Sequence, residues 1–226
     1  MSAPRPVMLS FDDGPLPGLT DRVLDTLAAY RGEDGQPLRA GFFMVGDAPP
    51  NFWPARRYYA PYELWIHKGS MRRFPALVQQ VIERGHEIGN HSLHHLWGRW
   101  PRFRSVAAVR AEIDGWTAVA TAAGWSPTAP RWFRAPYLID TPAMRAAVAQ
   151  AGYHWVGGDT LGDAAPRRRL ADWIQTFERL AAQPGGDPIM LILHDILPGT
   201  VDRLGDLLDA IAVRGHPFWH FAPRIG

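Results

Sequence analysis

Short apolar runs alternate with amphipathic stretches along the chain. Val7-Met8-Leu9-Ser10-Phe11 reads as a buried strand that stops at the turn-forming Asp12-Asp13-Gly14-Pro15. Thr20 then caps a helix with Val23, Leu24, Leu27 and Ala28 on one face, stopped at Gly32. The same alternation predicts further strands at 40–45, 86–91, 131–136, 153–158, 188–194 and 217–221. It predicts further helices at 75–84, 105–123, 141–151, 168–182 and 200–214, giving seven strands interleaved with six helices. Strands separated by helices pair in parallel through crossover connections, so the chain is an α/β protein. A doubly wound sheet and a barrel both satisfy this pattern.

No internal repeat and no linker divides residues 1–226, which read as a single domain. The one stretch without a clean period is 47–70, with prolines at 49, 50, 54 and 61. It also carries Phe52, Trp53, Tyr58, Tyr59, Tyr62 and Trp65, an aromatic content that predicts an ordered inserted flap.

Composition narrows the function classes. The 226 residues are 46% hydrophobic and 20% charged, which suits an ordinary globular domain. A net charge of +2 lacks the basic excess of a dedicated nucleic-acid binder. Of the 24 basic residues only Lys68 is lysine; the rest are arginines, suited to bidentate binding of carboxylate or phosphate. With no cysteine, disulfide scaffolds, zinc fingers and thiol nucleophiles are excluded. The apolar runs fall far short of the roughly 20 residues that span a bilayer. The first residues, Met1 to Pro6, show no signal-peptide core, which gives a cytoplasmic expectation.

Polar residues gather at the predicted strand ends. Asp12-Asp13 follow the first strand, and His91 and His95 the third. Arg134 closes the fourth, Asp159 the fifth and His194-Asp195 the sixth. The C-terminal ends of parallel strands share one rim, where active sites are built. His91 and His95, at i and i+4, lie on the same side of a helical turn and can share a cation, while His94 sits one step off that face as a bystander. A carboxylate from Asp12-Asp13 would complete a two-histidine, one-carboxylate set with an open position; the other aspartate would remain free to take a proton. His194 is a candidate general acid, and Arg134 a candidate partner for the carboxylate base.

These residues resemble a known family. Ser10-Phe11-Asp12-Asp13-Gly14-Pro15, the run Gly85 to His95, Arg134-Ala135-Pro136-Tyr137 and Leu193-His194-Asp195 are similar to motifs of the NodB-type polysaccharide deacetylases, carbohydrate esterase family 4. The resemblance implies a distorted (β/α) barrel of about seven strands and metal-dependent hydrolysis of an N-acyl group on a sugar or related substrate. It implies Asp12 as base, and Asp13, His91 and His95 as ligands of a divalent metal, zinc first. It also implies Arg134 orienting the base, the Tyr137 backbone amide holding the oxyanion, and His194 protonating the leaving amine.

The fourth motif departs from the family. Its two aspartates are usually three apart and followed by tryptophan, but here Asp163 comes four after Asp159 and precedes Ala164. The resemblance therefore carries over to Asp159 and leaves Asp163 unassigned. Trp65 of the insertion, and Trp97 and Arg99 after the histidine motif, are candidate substrate contacts. The run Trp97 to Arg104 mixes arginine with aromatics, which would suit a phosphate- or carrier-linked sugar.

Overall fold

The computed structural model describes residues 4–47, 69–95, 105–126, 130–165, 167–185 and 187–222. The strands are β1 (Val7–Asp12), β2 (Gly41–Met44), β3 (Glu87–Asn90), β4 (Trp132–Phe133), β5 (His154–Trp155), β6 (Asp159–Thr160) and β7 (Ile189–His194). Six α-helices occur among the described residues: α1 (Thr20–Ala28), α2 (Pro75–Glu83), α3 (Val106–Ala122), α4 (Pro142–Gln150), α5 (Leu170–Ala181) and α6 (Pro198–Val213). The chain is an α/β fold with seven strands in one sheet, ordered β5-β4-β3-β2-β1-β7-β6, and each pairing is parallel.

Chain length forces this sheet to curl. Trp155 at one sheet edge and Asp159 at the other are separated by Val156, Gly157 and Gly158. Four residue steps reach at most about 14 Å. Edge strands of a flat seven-stranded sheet would lie about 29 Å apart. The sheet therefore wraps into a distorted barrel whose seam lies between β5 and β6.

Two apolar clusters follow from the strand alternation. Val7, Leu9 and Phe11 of β1, Phe42 and Met44 of β2, and Leu191 and Leu193 of β7 join the main core with the helices. Phe43, Trp132, Val156 and Phe221 form a second cluster, with Met190 packed against it. That inner set leaves Asp12, Arg134 and His194 on the same parity as the barrel interior.

The predicted strand at 217–221 is not one of the seven; β6 is. Pro217 has no N–H to donate, and the His220 N–H goes to the Glu33 carboxylate at 2.7 Å. Only one bridge remains, Val7 to Phe218, before β2 begins its pairing at Ser10. The Phe221 ring instead packs against Phe43 and Trp132, at 5.8 and 6.1 Å between centroids.

Candidate active site

Asp12 is the last residue of β1 and lies beside Phe43 of β2 and His194 of β7 in register. Successive strand residues point to opposite faces, so Asp12 and Asp13 would ordinarily diverge. Asp13 instead adopts a left-handed backbone, φ 78°, which turns its carboxylate back toward the same cavity. His95, φ 51°, and Tyr137, φ 57°, share this sparsely populated region. Such residues cost about 1–3 kcal/mol each and persist where surrounding contacts over-determine them.

The two aspartates have different partners. Asp12 Oδ1 accepts from Arg134 Nη1 at 2.6 Å, while Asp12 Oδ2 faces His91 Nε2 at 3.9 Å. Arg134 is fully buried, lies 4.0 Å over the Phe43 ring, and also donates to Ser10 Oγ at 2.8 Å. Its remaining donors reach the Val156 and Gly157 carbonyls at 3.4 and 3.0 Å. Asp13 Oδ1 lies 3.2 Å from His91 Nε2 and 3.0 Å from His95 Nε2.

One ligand atom from each of Asp13, His91 and His95 falls within 4.8 Å of the others, a grouping that could hold a metal ion. The donor chemistry fits. Nδ1 of His91 lies 2.9 Å from the Arg134 carbonyl, which can only accept, so this nitrogen carries the proton and Nε2 keeps its lone pair for a cation. Burial holds the His95 ring toward its neutral form, against the pull of Asp13. Burial would raise the Asp13 carboxyl, but His95 and His91 outweigh it and hold it well below the usual carboxylate range. Two imidazole nitrogens and one carboxylate make a donor set that suits a catalytic divalent cation.

The histidine segment is not the helical turn that its spacing predicts. Residues 91–95 form a loop in which Ser92, φ 66°, and His95 are left-handed. The Ser92 N–H goes to Asn90 Oδ1 at 2.8 Å and the His94 N–H to Glu112 Oε2 at 2.8 Å, so side chains take donors that a helix would have used. The His91 and His95 rings still converge, 5.1 Å between centroids.

His194 sits opposite, with Nε2 3.9 Å from Asp13 Oδ2. Its ring Nδ1 lies 3.0 Å from Asp163 Oδ1, and its backbone N–H donates to Asp163 Oδ2 at 2.9 Å. Thr200 of α6 donates its hydroxyl to the same Oδ2 at 2.9 Å. Burial alone would lower the imidazole pKa, but Asp163, with help from Asp13, overcomes this and raises it to about 10. The carboxylate beside His194 is thus Asp163, which the motif spacing left unassigned. Asp159 pairs with Leu191 through the β6–β7 ladder, and its carboxylate makes no hydrogen bond or ion pair among the described residues.

Asp12, Asp13, His91, His95 and His194 line one cavity of about 200 Å³, together with Tyr137, Leu138, Thr160, Ala164 and Ile192. The Tyr137 ring packs 4.7 Å from His95. Of the wall residues, Ile192 was readable in advance, because it lies two before His194 and shares its face. Trp65, Trp97, Arg99 and nearly all of the 47–70 insertion lie outside the described residues.

A protein-family model described as polysaccharide deacetylase matches residues 2–156. The chain belongs to that family. The resemblance to NodB-type deacetylases of carbohydrate esterase family 4 is borne out. This deacetylase-family chain is 30% identical over 211 residues to a chitooligosaccharide deacetylase of Bradyrhizobium sp. (strain ANU 289), covering 91% of this chain and 73% of that protein. A family 4 acetyl xylan esterase from Clostridium thermocellum, solved with a cobalt ion, matches it with a TM-score of 0.66 and 27% identity, over 96% and 88% of the two chains. A carbohydrate esterase family 4 pseudoenzyme from Bacillus anthracis matches with a TM-score of 0.68 and 16% identity, over 96% and 64%. Fold alone therefore does not separate active from inactive members. No helix among the described residues of the deacetylase-family chain is long and apolar enough to cross a membrane.

Proposed function

We propose that this chain is a metal-dependent hydrolase that removes an N-acyl group, acetyl or formyl, from an amino sugar or sugar-containing substrate. The supporting observation is that one cavity of about 200 Å³ is lined at once by Asp12, the Asp13-His91-His95 set and His194. A protein that only bound carbohydrate would need neither a base nor an acid beside a cation site. The likeness to a chitooligosaccharide deacetylase supports a sugar amide as substrate.

Asp13, His91 and His95 would hold the cation, and their two-nitrogen, one-oxygen set suits Zn²⁺. When bound, a divalent cation there would polarise the acyl carbonyl and acidify water. Asp12, with Oδ1 fixed by Arg134, presents Oδ2 to take a proton from the attacking water. The Tyr137 N–H donates to the oxyanion, a contribution of about 3–4 kcal/mol for a well-placed donor. His194 Nε2 then gives its proton to the departing amine, and the Asp163 carboxylate keeps that proton in place through neutral pH.

The test is acetate and formate release from N-acylated chitooligosaccharides, with elemental analysis of the purified protein. Release that stops on chelation and returns with Zn²⁺ or Co²⁺ is the expected result. Protein that takes up no divalent metal overturns the catalytic reading. Release from simple amides but from no sugar overturns the substrate class.

A further inference from the structure

The loop that carries both histidine ligands is supported from outside by α3. Glu112, buried on that helix, accepts the His94 backbone N–H at 2.8 Å through Oε2 and faces the His94 ring Nδ1 at 2.9 Å through Oε1. One turn further along α3, Gly115 receives the neighbouring Leu93. A Cβ on Gly115 would lie 2.6 Å from Leu93 Cδ2. Leu93 is held on its other side by Gly46, where an added Cβ would come within 2.9 Å of Cδ1. The loop carbonyls are fixed as well: Gly46 N–H donates to Ser92 at 3.1 Å and Asp47 N–H to Leu93 at 2.6 Å.

This arrangement answers a question that the cation site leaves open. His95 holds a left-handed backbone that a non-glycine residue adopts only under constraint, and the residue before it is the one that Glu112 grips by both backbone and ring. We propose that Glu112 is a positioning residue for the metal site, holding His94 so that His95 meets Asp13 and His91. The inference rests on the metal-dependent reading above. His94, which sequence spacing leaves as a bystander, becomes the link through which α3 sets the ligand geometry. Glu112 touches neither substrate nor cation, so its effect belongs to metal affinity before it belongs to turnover.

The experiment measures Zn²⁺ affinity by competition with a chromophoric chelator, alongside thermal unfolding of the metal-free proteins. Glu112→Leu fills a similar volume with no acceptor, and Glu112→Gln keeps an oxygen for the His94 N–H. The expected result is Zn²⁺ affinity lower by at least about 10-fold in Glu112→Leu, with Glu112→Gln keeping most of the wild-type affinity. Should Glu112→Leu lack a cooperative unfolding transition, Glu112→Asp carries the test. It keeps the charge but withdraws the carboxylate by one methylene, and it too should bind Zn²⁺ more weakly. Wild-type affinity in whichever of these two variants folds overturns the role of Glu112. Wild-type protein that binds no Zn²⁺ overturns the metal reading itself, so the two failures are distinct.

Discussion

Arg134 Nη1 lies 2.6 Å from Asp12 Oδ1, and this buried pair joins the end of β4 to the end of β1. The guanidinium approaches from one side only, which leaves Asp12 Oδ2 directed at the cation site. An arginine's planar fork can serve Asp12, Ser10 and two carbonyls at once; a lysine offers a single point charge. Arg134→Lys is therefore expected to lower turnover by at least about 10²-fold. It should also destabilise the fold by about 1–3 kcal/mol, the cost of leaving buried acceptors among Ser10, Val156 and Gly157 unsatisfied. Chemical denaturation and initial rates on an N-acetylated chitooligosaccharide check both. A variant with near-wild-type stability would show that the pair does not hold the barrel.

Asp12→Asn separates base from ligand. Asparagine retains an oxygen for Arg134, and Asp12 is not among the three residues whose ligand atoms converge. The variant should bind metal with wild-type stoichiometry and lose about 10²–10⁴-fold in turnover. Metal loss in Asp12→Asn would move this residue into the ligand set, and wild-type turnover would remove it from the base role.

The Asp163–His194 contact predicts a pH profile. Burial opposes the imidazolium, Asp163 more than compensates, and the ring proton is retained up to about pH 10. A general acid must be protonated to act, so activity is present below that value and lost as pH rises through it. Asp163→Asn removes the main support of the charged form. The alkaline limb of kcat/KM should then move down toward or below the ordinary histidine value. An unmoved limb would assign it to another group.

Asp195 predicts a stability trend of the opposite origin. Its carboxyl is fully buried and accepts from Thr20 Oγ1 at 2.6 Å. Burial raises its pKa to about 7 from an ordinary 3.8, against the lowering effect of Thr20. The folded state then binds this proton more tightly than the unfolded chain. Stability consequently falls as pH rises from about 4 to about 7. Asp195→Asn keeps an oxygen for Thr20 and abolishes the titration. The melting temperature of metal-free wild type should drop relative to this variant across that interval, by about 2–4 °C for each kcal/mol. A constant gap between the two would mean that Asp195 does not titrate there.

Much of the site was legible because strand alternation and rim placement are written in period two. Asp12, Arg134 and His194 follow from that period alone. Asp13 does not, since its presence in the cavity depends on a left-handed backbone that a period of two does not encode. Asp163 was left unassigned because motif spacing counts residues, whereas its reach to His194 depends on the path of the backbone, which turns left-handed at Gly162, φ 75°. The cue was the glycine just before the aspartate, with Thr200 waiting near the start of α6. In the fold, the strand expected at 217–221 failed because its donors found a side chain and the ends of other strands, a competition invisible to hydrophobic period.

The seam between β5 and β6 has a consequence for reading relatives. Arg134 donates to the Val156 and Gly157 carbonyls there, in the stretch where no neighbouring strand supplies donors. Selection for folding alone would preserve such an arginine after chemistry had been lost. Arg134 thus serves the curled sheet at its seam as well as the carboxylate of Asp12, so its presence and that of Asp12 answer to different demands, one on the fold and one on the cavity.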